Sequence, residues 1–318
     1  ATDNKDFFEV VAFTHLDDDH ICKATEFFHL DHAQKYQGSG RIKINTLWVP
    51  AAAIIEEGCD DEARIIRAEA RHRLRSGYGI RVFSRPTKLE SWLKSQGLTL
   101  ADRQHLITDA GQSIPGYDVL LDGVEFFVHS PFASRLADGT LMDRNTDALA
   151  MQARFLCQGR ETRFLITSDL PWDALAPLIR VTQYHGNEDR LKWDIIDIPH
   201  HCSYLSLAPE KGQDKTEPVD EIKWLYEEQA EPYALLISSS KPIPSNDDDN
   251  QPPHRQAANY YRECAKKVLG EFIVTMEHPR QSSPEPLIIT IDQSGATLKR
   301  TVASVGAVIS RQPAPRAG

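Results

Sequence analysis

Apolar runs followed by polar residues recur along the chain, and they predict strands followed by helices. Residues 7–13, 163–170, 193–203 and 234–240 each contain an apolar run, with many β-branched or aromatic members, and acidic, histidine or serine side chains lie near the end of the run or directly after it. Short runs of this composition are typical of buried strands. Because ligands of α/β sheets usually bind at the carboxyl ends of strands, these polar ends are the first place to look for chemistry.

The rest of the chain alternates between the two periodicities. Helices are predicted over 60–75, 88–96, 99–107, 172–179 and 259–268, and further strands over 41–49, 272–277 and 287–292. Residues 117–129 predict two strands joined at Asp122-Gly123, a strong hairpin signal, whereas 147–158 fit either strand or helix. No linker divides the chain, so we expect one α/β domain over 1–295 and a partly disordered tail over 296–318.

The highest density of potential metal ligands lies in the segment THLDDDHI, directly after the first predicted strand. It holds His15, Asp17, Asp19 and His20 within six residues. Alternate residues of an extended segment point to one side, so these side chains can converge. Imidazole and carboxylate ligands suit zinc or manganese, and four of them can serve two ions. The alternative is an acidic loop that caps a helix, although acids packed this closely repel one another without a cation.

Two later strand ends carry the same kinds of residue. Asp169 closes LITSDL, and His200 with His201 follows the strand in IPHHCS. A single acid in this position often caps the next helix, and a histidine pair alone is weak evidence for a metal. The agreement among three strand ends is stronger than any one of them, and it favours a shared metal site.

The order HxDxDH, TSD and HHCS resembles the metallo-β-lactamase fold hydrolases. The branch it is most similar to contains the nuclease domain of ComEC competence proteins and the phosphorylcholine esterases. The resemblance covers roughly residues 7–292. It implies an αββα sandwich, in which two mixed sheets are flanked by helices, and a site for two divalent ions, zinc or manganese.

The resemblance also implies roles for single residues. His15 and Asp17 would bind one metal, with His129 as a further ligand, and Asp169 would bridge the two ions. The second metal would take its ligands from Asp19, His20 and His201. The residues with catalytic roles would be Asp19, His200 facing the substrate and His254 entering from a late loop.

The chain departs from the family pattern in two respects. Cys22-Lys23, Ser168 and Cys202 stand where relatives have glycine, and only 14 residues precede His15. Glycine in such places permits positive φ or a close backbone approach, and Cys202 beside the metals could become a thiolate ligand. The short start implies that the first strands of the fold are missing from this chain, or come from an N-terminal fragment or a partner polypeptide.

Composition limits the setting of such a site. The 318 residues include 36 Lys and Arg against 46 Asp and Glu, a net charge of −10, with 12 histidines. No apolar run reaches the ~18–20 residues that span a bilayer, and the first residues do not resemble a signal peptide. The five cysteines are widely spaced and form no CxxC pair, so we expect a cytoplasmic protein without disulfides.

One segment is basic although the chain as a whole is acidic, and its charge suggests a class of substrate. Its arginines Arg64, Arg67, Arg71 and Arg75 share one face of a predicted helix and could bind a phosphate backbone. A solvated helix face is the equally weighted alternative. We therefore expect a metal-dependent phosphodiester hydrolase, with DNA as the first candidate substrate. The alternatives are a small-molecule phosphodiesterase, for cyclic nucleotides or choline-phosphate groups, and a catalytically silent scaffold of the same fold.

Overall fold

The protein is described here by a computed structural model that covers residues 6–133, 143–248 and 250–299. The helices of these residues are α1 Asp18–Ile21, α2 Ala24–Phe27, α3 Ala52–Ile55, α4 Asp61–Ser76, α5 Thr87–Ser95, α6 Leu100–Arg103, α7 Trp172–Tyr184, α8 Asp220–Glu228 and α9 Arg255–Lys267. The strands are β1 Phe7–Ala12, β2 Lys43–Pro50, β3 Ile80–Phe83, β4 Val124–Ser130, β5 Ala150–Cys157, β6 Arg160–Ile166, β7 Trp193–Asp197, β8 Ala230–Ser238, β9 Glu271–Val274, β10 Ile289–Asp292 and β11 Gly295–Leu298.

The strands form two larger sheets and one hairpin. In the first sheet β1, β2 and β3 are parallel and adjacent in that order. The second sheet has the order β4-β5-β6-β7-β8-β9, antiparallel from β4 to β6 and parallel from β6 to β9. The parallel strands β6, β7 and β8 consequently end at the same edge, which is where the predicted site residues follow.

The core lies in layers between and outside these sheets. Trp48 and Phe83 of the first sheet pack with Val128 and Met151 of the second, so that the two sheets meet face to face. Helices α3, α4 and α5 cover the outer side of the first sheet, and α7, α8 and α9 cover that of the second. The protein is thus an α/β structure of sheets flanked by helices, as predicted. Of its two larger sheets only the second is mixed, whereas the resemblance implies two mixed sheets.

Several sequence predictions need correction at this level. Residues 117–123 do not form a strand, and the predicted hairpin at Asp122-Gly123 is wrong because β4 pairs with the distant β5 instead. The undecided segment 147–158 contains strand β5, which turns at Gln158-Gly159 into β6. The predicted tail begins inside β11, and residues 300–318 lie outside the described residues.

The membrane prediction can be examined for the helices that the structure describes. Not one of them combines the length and the apolar composition that a bilayer crossing requires.

The contact between the two sheets should contribute to stability, because Trp48 is only 3% exposed and packs edge-on against Phe83, Tyr117 and Phe126. We predict that Trp48→Ala lowers the free energy of unfolding by about 3–5 kcal/mol, measured by urea denaturation. The matched control is Tyr78→Ala, at an aromatic residue that is 61% exposed. Its expected change is within about 0.5 kcal/mol, and similar losses for both variants would contradict the assignment.

Candidate metal centre

Three strand ends bring the predicted ligands together. The loop after β1 carries His15 to His20, the turn after β6 carries Asp169, and the turn after β7 carries His200 and His201. His15 and His20 are in ring contact at 4.0 Å between centroids, and His20 and His201 at 5.3 Å. Residues separated by up to 186 positions in the sequence therefore share one site, as the strand-end pattern predicts.

Four of these side chains form a compact ligand group, which is called the four-ligand group below. Its members are Asp19, His20, Asp169 and His201, and their ligand atoms all lie within 4.8 Å of one another. Oδ2 of Asp169 is 3.2 Å from Nε2 of His20 and 3.3 Å from Nε2 of His201. Oδ2 of Asp19 is 3.0 Å from the same His201 nitrogen.

The nitrogens of this group fit a metal ion better than they fit hydrogen bonds. Nε2 of His20 and Nε2 of His201 are buried and are without a partner in hydrogen-bond geometry, and the same holds for Nε2 of His15. Buried polar atoms of proteins are normally satisfied, so such atoms beside carboxylates need a missing partner. Two imidazole and two carboxylate ligands match the donor set of zinc. The group could therefore hold one metal ion.

The carbonyl oxygen that follows β8 fixes the orientation of His201. Nδ1 of His201 lies 2.7 Å from the carbonyl oxygen of Ser239. A carbonyl only accepts hydrogen bonds, so Nδ1 carries the proton and donates it. The lone pair of the ring is then on Nε2, which faces Asp19 and Asp169. This arrangement of an outer acceptor behind a histidine ligand is common in metal sites.

A second buried carboxylate shapes the turn that presents Asp169. Asp197, at the end of β7, accepts hydrogen bonds from the backbone N–H of Thr167 at 2.6 Å and of Ser168 at 3.2 Å. Burial raises the pKa of Asp197 to about 7, although these donors oppose the rise. Asp197 thus holds the β6 turn against the end of β7.

Charge in the four-ligand group is balanced internally when it holds no metal. Burial favours the neutral form of Asp169, but the contacts with His20 and His201 outweigh it and hold the pKa well below the usual range. Asp169 in turn raises the pKa of His201 to about 9 against the effect of burial. The raised pKa of His201 favours a proton where the metal would bind, and metal binding would release that proton.

His15 and Asp17 lie beside the four-ligand group, and Asp17 has a further partner outside it. Nε2 of His15 is 3.6 Å from Oδ2 of Asp17, and burial with the nearby His20 lowers the pKa of His15 to about 4. Oδ1 of Asp17 accepts from Nη1 of Arg144 at 3.0 Å. Asp17 is therefore shared between a neutral histidine and a fixed cation.

The structure does not bring His129 into the centre. Its Nε2 donates to the carbonyl of Arg190 at 2.9 Å, and its Nδ1 lies 3.4 Å from Oγ1 of Thr182. The side chain is fully buried against Phe127, and burial lowers its pKa to about 4. The expectation that His129 is a metal ligand is corrected accordingly: it is a hydrogen-bonded core histidine.

The two other predicted catalytic histidines have different positions. His200 is beside the centre, with a buried Nδ1 that is without a partner and a pKa lowered by burial. His254 is buried behind it, where its Nε2 donates to the Asn250 carbonyl and its Nδ1 accepts from the N–H of Tyr204. Both nitrogens of His254 are occupied, so the structure gives it a positioning role in place of the predicted catalytic one.

The arginines predicted to form one substrate-binding stripe on α4 divide into two pairs. Nε of Arg71 donates to the Ile54 carbonyl at 2.7 Å, and Nη1 of Arg67 donates to the Glu56 carbonyl. These bonds satisfy carbonyls at the end of α3, so Arg67 and Arg71 are structural. Arg64 and Arg75 are exposed.

Three of the four residues that stand where the resembled family has glycine adopt the backbone conformation that favours glycine, and Cys22, with φ of −50°, does not. Lys23, Ser168 and Cys202 have φ of 62°, 52° and 68°. The strained positions are thus retained although the glycines are not. Cys202 is completely buried in the core, and burial raises the pKa of its thiol, so it does not serve as a thiolate ligand.

Four residues of the centre were missed by sequence reasoning. Asp197 ends an apolar strand just as Asp169 follows one, so the same pattern could have found it. Ser239 contributes only its backbone carbonyl, which side-chain patterns do not reveal. Arg144 and Glu56 lie far apart along the chain and carry no motif.

The chain was also compared with known proteins. No family model, no curated protein and no solved structure matches it.

Removal of the central carboxylate should abolish metal binding. We predict that Asp169→Asn weakens zinc affinity by roughly 100-fold or more, because even outer-shell changes at metal sites cost 10–100-fold. The measurement is a competition titration with a chromophoric chelator. The matched control is Asp173→Asn, at an exposed acid of α7, which should bind zinc as the unaltered protein does. Equal affinities for the two variants would contradict the four-ligand group.

Proposed function

We propose that the protein is a metal-dependent phosphodiester hydrolase of the metallo-β-lactamase type. The observation that carries the proposal is the four-ligand group, in which residues of the HxDxDH, TSD and HHCS motifs converge at neighbouring strand ends. Two face-to-face sheets with helices on their outer sides are consistent with the αββα sandwich that this type of enzyme has.

The chemistry follows from what each side chain would do. A divalent ion bound here supplies a water molecule with a lowered pKa and a positive charge beside the phosphoryl group. His20, His201, Asp19 and Asp169 hold that ion. His200 is neutral near pH 7 because burial lowers its pKa, so its ring offers one N–H to a phosphoryl or leaving oxygen. His254 and Asp197 keep the two turns in place.

The resemblance and the exposed arginines of α4 make DNA the first candidate substrate. A specific observation favours the alternative of a small phosphodiester that carries a positive charge. Next to the centre is a pocket of about 350 Å³ lined largely by carboxylates, and its charged residues are Asp17, Asp18, Asp19, Asp60, Asp61 and Arg144. Such a wall repels a polyanion and attracts a cationic group such as choline.

The proposal is tested by hydrolysis assays on the zinc-loaded protein. We expect cleavage of bis(p-nitrophenyl) phosphate, followed by faster cleavage of either DNA or a choline-containing phosphodiester. Asp169→Asn should lower kcat by at least about 100-fold, the size of effect expected when a preorganised charge of the site is lost. Asp173→Asn is again the control. Stoichiometric zinc without cleavage of any of these substrates would refute the enzyme and favour the silent scaffold.

The exposed arginines provide a separate test of DNA binding. If DNA lies along α4, Arg64→Gln with Arg75→Gln should lower the slope of log affinity against log salt by roughly 2, about 0.9 for each lost phosphate contact. Stability should be unchanged. The contrasting double variant is Arg67→Gln with Arg71→Gln, which should instead reduce stability by about 1–3 kcal/mol, as α3 carbonyls lose their donors. An unchanged salt slope in the first variant would remove α4 from the DNA surface.

A further inference from the structure

The family pattern implies two metal ions, and one of them would bind outside the four-ligand group. The residues expected to hold that ion are His15 and Asp17, with His129 and a shared oxygen of Asp169. Among the described residues, the four-ligand group is the one set of potential ligands compact enough for an ion. His129 is bound to Arg190 and Thr182 and is unavailable.

A guanidinium group occupies the remaining side of Asp17. Nη1 of Arg144 donates to Oδ1 of Asp17 at 3.0 Å and to the carbonyl of Leu16 at 2.8 Å. Nε and Nη2 of the same group bind the carboxylate of Glu56 at 2.9 and 2.7 Å. Arg144 is thus fixed by three residues from two distant parts of the chain, and its charge is permanent.

His15 would offer a second ion one imidazole nitrogen. His15 is 2% exposed, and its unpartnered Nε2 points toward Asp17. A dication at this point would gain one imidazole and one carboxylate oxygen that already belongs to an ion pair. It would also lie close to the guanidinium, whose charge has the same sign. The observed residues therefore do not fit the second ion of the family.

We propose that this centre binds one divalent ion, at Asp19, His20, Asp169 and His201, and that the Arg144 guanidinium stands in for the second cation. The inference deepens the proposed function, on whose metal centre it rests. Arg144 pairs with Asp17 and Glu56, and its charge is independent of metal supply.

Zinc stoichiometry tests the inference directly. The metal-free full chain is titrated with zinc by calorimetry, and the metal that remains after gel filtration is counted by mass spectrometry. We expect one equivalent for the unaltered protein and for Arg144→Lys, which keeps the charge. Arg144→Met should bind a second equivalent, or bind it at least about tenfold more tightly than the unaltered protein does. Two tightly bound equivalents in the unaltered protein would overturn the inference.

A second pair of variants keeps the test valid if Arg144→Met does not fold. Asp17→Asn should change the affinity for the first zinc by less than about threefold, whereas Asp19→Asn should weaken it by at least about tenfold, the effect of a lost ligand. A loss of affinity in Asp17→Asn as large as in Asp19→Asn would place Asp17 in the ligand set and overturn the inference.

The outcomes separate this inference from the proposed function. One equivalent of zinc in a protein that hydrolyses no phosphodiester supports the inference and refutes the proposed function. Two equivalents of zinc in a protein that cleaves phosphodiesters would refute the inference and support the proposed function. The absence of zinc binding refutes both, because the four-ligand group is common to them.

Discussion

The carboxylate of Asp197 joins the ends of two neighbouring parallel strands, and the geometry of the centre depends on this link. It accepts the N–H groups of Thr167 and Ser168, which would otherwise be unpaired where β6 stops. The same turn directs Asp169 toward the histidines that follow β7. Because Asp197 is itself the last residue of β7, its side chain joins the Asp169 turn to the strand that leads into the His201 turn. The protein requires an enclosed carboxylate here, a costly feature that needs its donors in place.

The ligand-bearing turns are strained, and their partners explain how they persist. Ser168, His200 and His201 all have positive φ, which disfavours residues other than glycine by about 1–2 kcal/mol each. Asp197 holds the first turn, the Ser239 carbonyl holds His201, and the backbone N–H of His200 donates to the Ser168 carbonyl at 3.1 Å. The strain is thus distributed over two turns that support each other. Such conformations persist only where the surroundings over-determine them.

Strand-end patterns predicted the parts of the site that depend on local sequence. They failed for side chains whose role depends on a partner that is distant in the sequence. Asp169 and His201 were predictable because an apolar run followed by a ligand residue is a short-range signal. His129 also ends a strand, but the carbonyl of Arg190, 61 residues away, takes its nitrogen. The same reason explains the wrong hairpin, since β4 pairs with β5 across a long connection. Likewise Arg67 and Arg71 have the spacing of a phosphate-binding stripe, but their guanidinium groups donate to backbone carbonyls at the end of α3.

Electrostatics around the centre narrows what can approach it. The pocket walls carry several carboxylates, and the one arginine among its lining residues already binds Asp17 and Glu56. A bound dication is balanced largely by Asp19 and Asp169, so it does not reverse the sign of the pocket. Under the proposed function, this charge favours a phosphodiester that carries its own positive group. A polyanion would be repelled by this carboxylate wall, whereas a small substrate with a cationic group would be attracted to it.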